Sequence, residues 1–309
     1  MDSATVIGEL DEAPLSSAVS PAAVSHSRIA DFIALAKPRL NFLVVVTTGV
    51  GYFMAQRGVT DWGRLMHTLL GTALSAAGAS ALNQYLERDL DLKMARTHDR
   101  PLAAGRVGLL EGLLFAVLLC AAGLIELRLF VNTLTATLAA ATLASYVLLY
   151  TPMKRRSTLC TIVGAVPGAI PIVMGWTAVR ASISPEALAL FGILFFWQMP
   201  HFLAIAILYR DDYATAGLQV LPVVDPDLRA TARQIVLYAT ALIPISLLPT
   251  ILHCAGGLYF AAALLLGMTF AGFGVMCAIT RGRAEARQLF FASITYLPLL
   301  LIAMMVNKI

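Results

Sequence analysis

Asn83 to Leu102 read NQYLERDLDLKMARTHDRPL. This stretch leaves a long apolar segment and enters a strongly basic loop, so it marks a membrane helix arriving at an aqueous face. Read as a helix, Asn83, Glu87 and Asp91 stand at i, i+4 and i+8 and fall within about 80° of one another on one face. Asp89 points roughly the other way. Lys93, Arg96, Arg100 and Arg106 follow at once. Oxygen donors beside cations suit Mg²⁺ with a polyphosphate, because Mg²⁺ takes one or two carboxylates and lets substrate phosphates complete its shell. Solvated ion pairs are the plain alternative for such a stretch. A second polar cluster in the same membrane setting favours the metal–diphosphate reading.

The setting follows from composition. Of 309 residues, 59% are hydrophobic and 13% charged, with a mean hydropathy of +0.80. That excludes an ordinary soluble domain and indicates a polytopic helical membrane protein. The four cysteines, Cys120, Cys160, Cys254 and Cys277, have no CxxC spacing and read as small membrane-helix residues. Residues 1–27 are rich in Ser, Ala and Pro, without a cationic start or an unbroken apolar core. They read as a disordered tail rather than a secretory signal, and the absence of a transit peptide favours a bacterial plasma membrane. Residues 28–309 are expected to form a single transmembrane domain, beginning with a short interfacial helix over 28–39.

Nine apolar segments follow, each near the ~20 residues that cross a bilayer. They run over about 40–57, 65–86, 108–126, 130–150, 159–178, 186–208, 234–252, 256–280 and 287–306, with ends uncertain by a few residues. Loop charges test the count. With the N-terminus in the cytoplasm, that side receives Arg28, Lys37 and Arg39, then Arg88, Lys93, Arg96, Arg100 and Arg106. It also takes Lys154, Arg155 and Arg156, then Arg210, Arg229 and Arg233, then Arg281, Arg283 and Arg287. That is 17 of the 22 Lys and Arg residues, a bias that sets orientation. It also accounts for the net charge of +4 without nucleic acid as a partner. The two richest loops follow spans two and six, which hints at two four-helix repeats with the site between them.

The second cluster lies in FFWQMPHFLAIAILYRDDYATAGLQVLPVVD, residues 195–225. Pro200 removes a helix hydrogen bond and is expected to kink span six. Gln198 and His201 flank it within the membrane, where polar side chains are costly and are functional candidates. Gln198 serves equally well as a helix–helix hydrogen bond. Asp211 and Asp212 stand at the cytoplasmic end beside Arg210, pointing to different sides of a helix. A third cluster, YTPMKRR at residues 150–156, either holds its loop in the cytoplasm or clamps a diphosphate through Lys154 and Arg155. Span five, IVGAVPGAIPIVMGW, is dense in Gly and Pro, which favours close helix approach. No Walker loop, GxSxG or zinc-ligand spacing occurs.

The stretch at 83–102 resembles the first aspartate-rich motif of the intramembrane UbiA-type prenyltransferases. Its wording is most similar to the protohaem IX farnesyltransferase (haem O synthase) subgroup. WQMPHFLAIAILYRDDYATAGLQVLPVV resembles that subgroup's second motif, and YTPMKRRS followed by GAVPGAIPIVMGW its middle section. The likeness covers about residues 30–305. The wider family's first motif commonly reads Asn-Asp-x-x-Asp-x-x-x-Asp. Here the places are taken by Asn83, Gln84, Glu87 and Asp91. Its second motif often has two aspartates four apart, where aligning on Gly217 puts Tyr209 and Tyr213, with Asp211 and Asp212 between them.

The resemblance implies an all-α UbiA-like bundle around a central cavity open to the cytoplasm, in the cell (inner) membrane. It implies transfer of the farnesyl group of farnesyl diphosphate to the 2-vinyl group of haem B, with water addition, giving haem O for haem A and terminal oxidases. Asn83, Glu87, Asp91 and Asp211 or Asp212 would be catalytic, with Mg²⁺ on Asn83, Glu87, Asp91 and Asp212. Lys37, Arg96, Arg100, Lys154, Arg155 and Arg210 would hold diphosphate. His201, His98 and Gln198 are candidate haem contacts, and a haem A synthase is the expected next enzyme. Two other readings compete: a prenyltransferase acting on an aromatic acid, and a transporter whose polar residues recur through the membrane depth.

Overall fold

The structure, a computed structural model, describes residues 27–309. The expected tail, apart from Ser27, lies outside the described residues. Ser27 caps the first helix, its Oγ accepting from the Ala30 amide at 3.2 Å, and α1 runs Arg28–Ala36. Lys37 breaks the helix in the left-handed region at φ 47°. Pro38 then opens α2, Pro38–Ala55, at a position where a missing N–H costs nothing.

Eight further long helices follow: α3 Trp62–Leu86, α4 Leu109–Phe130, α5 Thr133–Met153, α6 Cys160–Arg180, α7 Pro185–Leu208, α8 Arg229–Ile251, α9 Gly257–Thr280 and α10 Arg283–Val306. All eight are long and apolar enough to cross a membrane. The remaining expected span corresponds to α2, which has 18 residues and carries Arg39 and Asn41 in its first turn. It is not among the eight on apolar content. Within α5, residues Ser145–Tyr150 form a π-helical turn. α7 runs through Pro200 as one helix. No named strand occurs among the described residues.

Contacts between loops fix which ends lie together. Arg106 pairs with Asp31, Lys154 with Glu87, and the Gln219 amide donates to the Lys154 carbonyl. Arg283 pairs with Asp211. These bonds join the start of α1 and the loops after α3, α5, α7 and α9 at one end of the bundle. At the other end Lys308 donates to the carbonyls of Phe53 and Gln56, and Asn132 Nδ2 to the Thr177 carbonyl at 2.8 Å.

The centre is α6 and α7, with 67% and 61% of their apolar windows buried, against 17% for α5. The small residues expected in span five explain how α2 comes so close to α6. A Cβ on Gly51 would sit 1.9 Å from the Ile172 carbonyl oxygen, and one on Gly175 would sit 1.9 Å from the Thr48 oxygen. The two backbones therefore touch where no side chain intervenes. The periphery presents Leu110, Leu118, Leu129, Leu148, Leu265 and Ile279 outward, the surface lipid requires.

Candidate active site

α3 ends at Leu86, and Glu87 leaves the helix at φ −98°, ψ 8° before a single turn, Arg88–Asp91. The expected continuous helix is broken at Glu87. Even so, Asn83, Glu87 and Asp91 are 2%, 6% and 1% exposed and all line one cavity of about 190 Å³. Burying two carboxylates requires partners, and each oxygen donor has a cation. Arg100 Nη1 reaches both Asp91 oxygens at 2.7 and 2.8 Å. Lys154 Nζ donates to Glu87 Oε1 at 2.8 Å, and Lys37 Nζ to Asn83 Oδ1 at 3.3 Å. Asn83 Nδ2 donates to Thr151 Oγ1 at 3.4 Å. The Asp91 carbonyl accepts from Thr97 Oγ1 at 3.0 Å, which ties the basic loop to the acidic turn.

The cavity thus gathers residues from five segments: the acidic stretch, the α1–α2 junction, the α5–α6 corner, the far part of α7 and the connection that follows it. Arg96 completes its cations. Four basic groups against two carboxylates leave a positive surplus. Lys37 feels it: burial, then the Arg100 and Lys154 charges, lower its amine to about 7, while Glu87 and Asp91 pull the other way. Burial opposes the charge on Lys154, but Tyr150, Glu87 and Tyr146 outweigh it and keep its ammonium. The opposite wall is aromatic and apolar: Tyr146, Tyr150, Phe202, Ile205 and Tyr213, with Leu90, Met94 and Leu218. Lys154 Nζ lies 4.5 Å from the Tyr150 ring centroid, so a ring face is already used to hold a cation.

The other expected residues lie elsewhere. Asp211 is exposed at the surface and pairs with Arg283. Asp212 is half-buried and, like Arg155, does not line the cavity. Arg210 is drawn off to the carbonyls of Pro226 and Asp225, both at 3.3 Å. His98 is exposed, with Nδ1 2.7 Å from the Ala95 carbonyl. The cause is local: the short helix Arg210–Thr215 turns its acidic side chains towards α10 and the surface. Gln198 is buried between α7 and α6 and donates to Leu194 and Ala165. It fits there because Gly168 has no side chain. His201 stacks on Trp197 and Phe290, with centroids at 4.9 and 5.3 Å. Its Nδ1 lies 2.7 Å from Ser293 Oγ.

Tyr146 and Phe202 were not singled out from sequence, and Tyr213 only as the residue standing at a second-motif aspartate position. Tyr146, Tyr150 and Lys154 recur every four residues, a spacing that could have flagged them as one face.

No group of three or more His, Cys, Asp or Glu able to hold a metal alone occurs among the described residues. The donors that are present suit Mg²⁺ shared with a phosphate better than a closed protein cage.

Comparison with known proteins settles the fold's lineage. Residues 44–297 match the UbiA prenyltransferase family. The chain belongs to that family. Among similar members is the protoheme IX farnesyltransferase of Solibacter usitatus (strain Ellin6076), 49% identical over 90% of this chain and 98% of the relative. That of Koribacter versatilis (strain Ellin345) is 44% identical over 95% and 99%. Solved structures with the same fold include a digeranylgeranylglyceryl phosphate synthase, with a TM-score of 0.77 and 15% identity over 90% of this chain and 98% of that one. Another is a UbiA homolog from Archaeoglobus fulgidus bound to GPP and Mg²⁺, with a TM-score of 0.66 and 13% identity over 89% and 99%. The all-helical UbiA fold expected from the motifs is the fold observed.

Proposed function

We propose that this family member is a protohaem IX farnesyltransferase: it moves the farnesyl group of farnesyl diphosphate to the 2-vinyl group of haem B, and water addition completes haem O. One observation carries the reading. Asn83, Glu87 and Asp91 meet Lys37, Arg100 and Lys154 in a single buried cavity with an aromatic wall. The 44–49% identity to farnesyltransferases of this kind supports the acceptor.

Asn83, Glu87 and Asp91 would hold Mg²⁺, which when bound supplies charge stabilisation to the departing diphosphate. Asp211 and Asp212 belong to this set only if the 209–217 turn rearranges. Arg100 and Lys154, now on Asp91 and Glu87, turn to phosphate oxygens, with Lys37 and Arg96 beside them. Arg offers a fork and Lys a point charge for the purpose. These cations stabilise negative charge that grows as the allylic C–O bond breaks. Tyr146 and Tyr150 present ring faces to the allylic cation left behind. Leu90, Met94 and Leu218 close the cavity to premature water.

His201 serves the acceptor. Ser293 gives its hydroxyl proton to the Phe290 carbonyl at 2.5 Å, so it accepts from His201 Nδ1–H. The Nε2 lone pair is then left for the haem iron. Phe202, the next residue, lines the diphosphate cavity. Residues 28–309 act as one membrane domain. The cation-rich end faces the cytoplasm of a bacterial cell, and haem O passes to a haem A-forming enzyme.

Extraction of haem from membranes carrying the chain tests the reading. A late-eluting haem O peak with the native sequence, absent with Asp91→Ala, is expected. Unchanged haem B in both, with folded protein and added farnesyl diphosphate, would refute haem as acceptor.

A further inference from the structure

A second cavity, of about 230 Å³, lies at the opposite end of the bundle. α2 and α6 each begin at the diphosphate cavity, with Lys37 before one and Cys160 opening the other, and each ends at this one, with Gln56 and Trp176. Eighteen residues of α2 at about 1.5 Å each put the two about 27 Å apart, close to the thickness of a bilayer's hydrocarbon core. The second cavity therefore sits at the other membrane surface.

Its lining brings together Arg57, Arg180 and Lys308. Three cations on the poorly charged side of the molecule run against the loop bias, and only Lys308 is accounted for. It donates to the Phe53 and Gln56 carbonyls at the end of α2, as cations at helix C-termini do. Arg57 and Arg180 make no ion pair or hydrogen bond within the protein among the described residues. Burial, then the Arg180 and Arg57 charges, push the Lys308 amine below its usual range, and the Glu186 carboxylate, which feels the Arg57 and Arg180 charges, is one anion against three cations.

A second observation points the same way. Trp176 also lines the cavity and is 5% exposed, yet its indole Nε1–H meets no acceptor. A buried donor without an acceptor is rare. Opposite the cations stand Glu186 and His253. The pocket thus asks for anionic oxygen near Arg57, Arg180 and Trp176, and for a hydrogen-bond donor near Glu186.

We propose that this cavity binds the phosphodiester headgroup of a lipid that also carries a donor, of the phosphoethanolamine type. The phosphate takes Arg57, Arg180 and the Trp176 indole, and the ammonium takes Glu186. The site is separate from the prenyl diphosphate cavity and does not depend on the activity assigned to it.

The test uses the full chain in detergent, with ¹⁵N-labelled tryptophan and the Trp176 indole resonance assigned through Trp176→Phe. Dihexanoyl phosphatidylethanolamine, kept below its micelle concentration, is titrated beside dihexanoyl phosphatidylcholine and inorganic phosphate. Saturable movement of the Trp176 signal is expected with phosphatidylethanolamine. Binding should be at least tenfold weaker in Arg57→Gln/Arg180→Gln, a pair of exposed changes that remove the charge and keep a polar side chain, and whose folding is checked by circular dichroism. Phosphatidylcholine, which lacks the donor, should bind more weakly. Inorganic phosphate binding as tightly as the lipid would overturn the headgroup in favour of a free anion. No saturable response, or an undiminished one in the double variant, would overturn the site altogether.

Discussion

Lys154 and Glu87 lie 67 positions apart in sequence and meet at 2.8 Å, joining the α5–α6 corner to the acidic turn after α3. Both are largely buried, with side chains 17% and 8% exposed. Removing one partner of such a pair leaves the other charged and unpaired, at a cost of about 3–5 kcal/mol. Lys154→Met should therefore lower thermal stability in detergent and reduce farnesyl transfer by two or more orders of magnitude. The double change Lys154→Met/Glu87→Gln should recover most of the stability and none of the activity. Recovery of both would mean that the pair is only structural.

Arg100 uses one nitrogen for both oxygens of Asp91. A lysine there keeps the charge but loses the fork. Arg100→Lys should raise the KM for farnesyl diphosphate about tenfold, roughly 1.4 kcal/mol of binding, with a smaller change in kcat. Steady-state kinetics at fixed haem separate the two.

Lys37 is the pH-sensitive member. Its amine, lowered to about 7 chiefly by burial, is an ammonium below that pH and neutral above it, whereas in the unfolded chain it stays protonated to about 10.4. The folded, ligand-free protein binds fewer protons between these values, so its stability should rise with pH across that window. An amine-acylating reagent at pH 8 should label Lys37 ahead of Lys93, Lys154 and Lys308. Labelling should fall off at pH 6, and Mg²⁺ with diphosphate should protect. Peptide mass spectrometry reads the order. Slow labelling of Lys37 at pH 8 would remove the shift.

Gly51 and Gly175 set the α2–α6 distance. A methyl group at either must displace backbone, because the atom it meets is a carbonyl oxygen at 1.9 Å. Overpacking commonly costs about 1–3 kcal/mol, and more where backbone must yield. Gly175→Ala should lower the melting temperature clearly. Gly272→Ala, inside a helix and with nothing within 4 Å, should not lower it and should raise it slightly.

What was legible from sequence was local. Asn83, Glu87 and Asp91 come from one stretch, and their four-residue spacing survived even though the helix breaks at Glu87, since the following turn carries Asp91 back to the same cavity. Lys154 and Arg100 were visible as cations next to motifs. Asp211 and Asp212 were visible as residues but not as positions. A short helix between loops can turn either way, and the ion pair to Arg283 that fixes it is 72 positions distant. The α2 span was read as equal to the others, although Arg39 and Asn41 make its start polar. The second cavity was illegible because it draws on four distant stretches of chain, none with a recognisable spacing.

The π-helical turn at Ser145–Tyr150 amounts to an α-helix carrying one surplus residue. Everything after it in α5 is rotated by about 100° relative to an uninterrupted helix. Tyr150 and Lys154 owe their aim into the cavity to that extra count. Forcing the turn into regular α-helix at its present length would swing both side chains away from the cavity, whereas deleting the surplus residue, for instance Val147, would dissolve the π-turn and leave them aimed where they are.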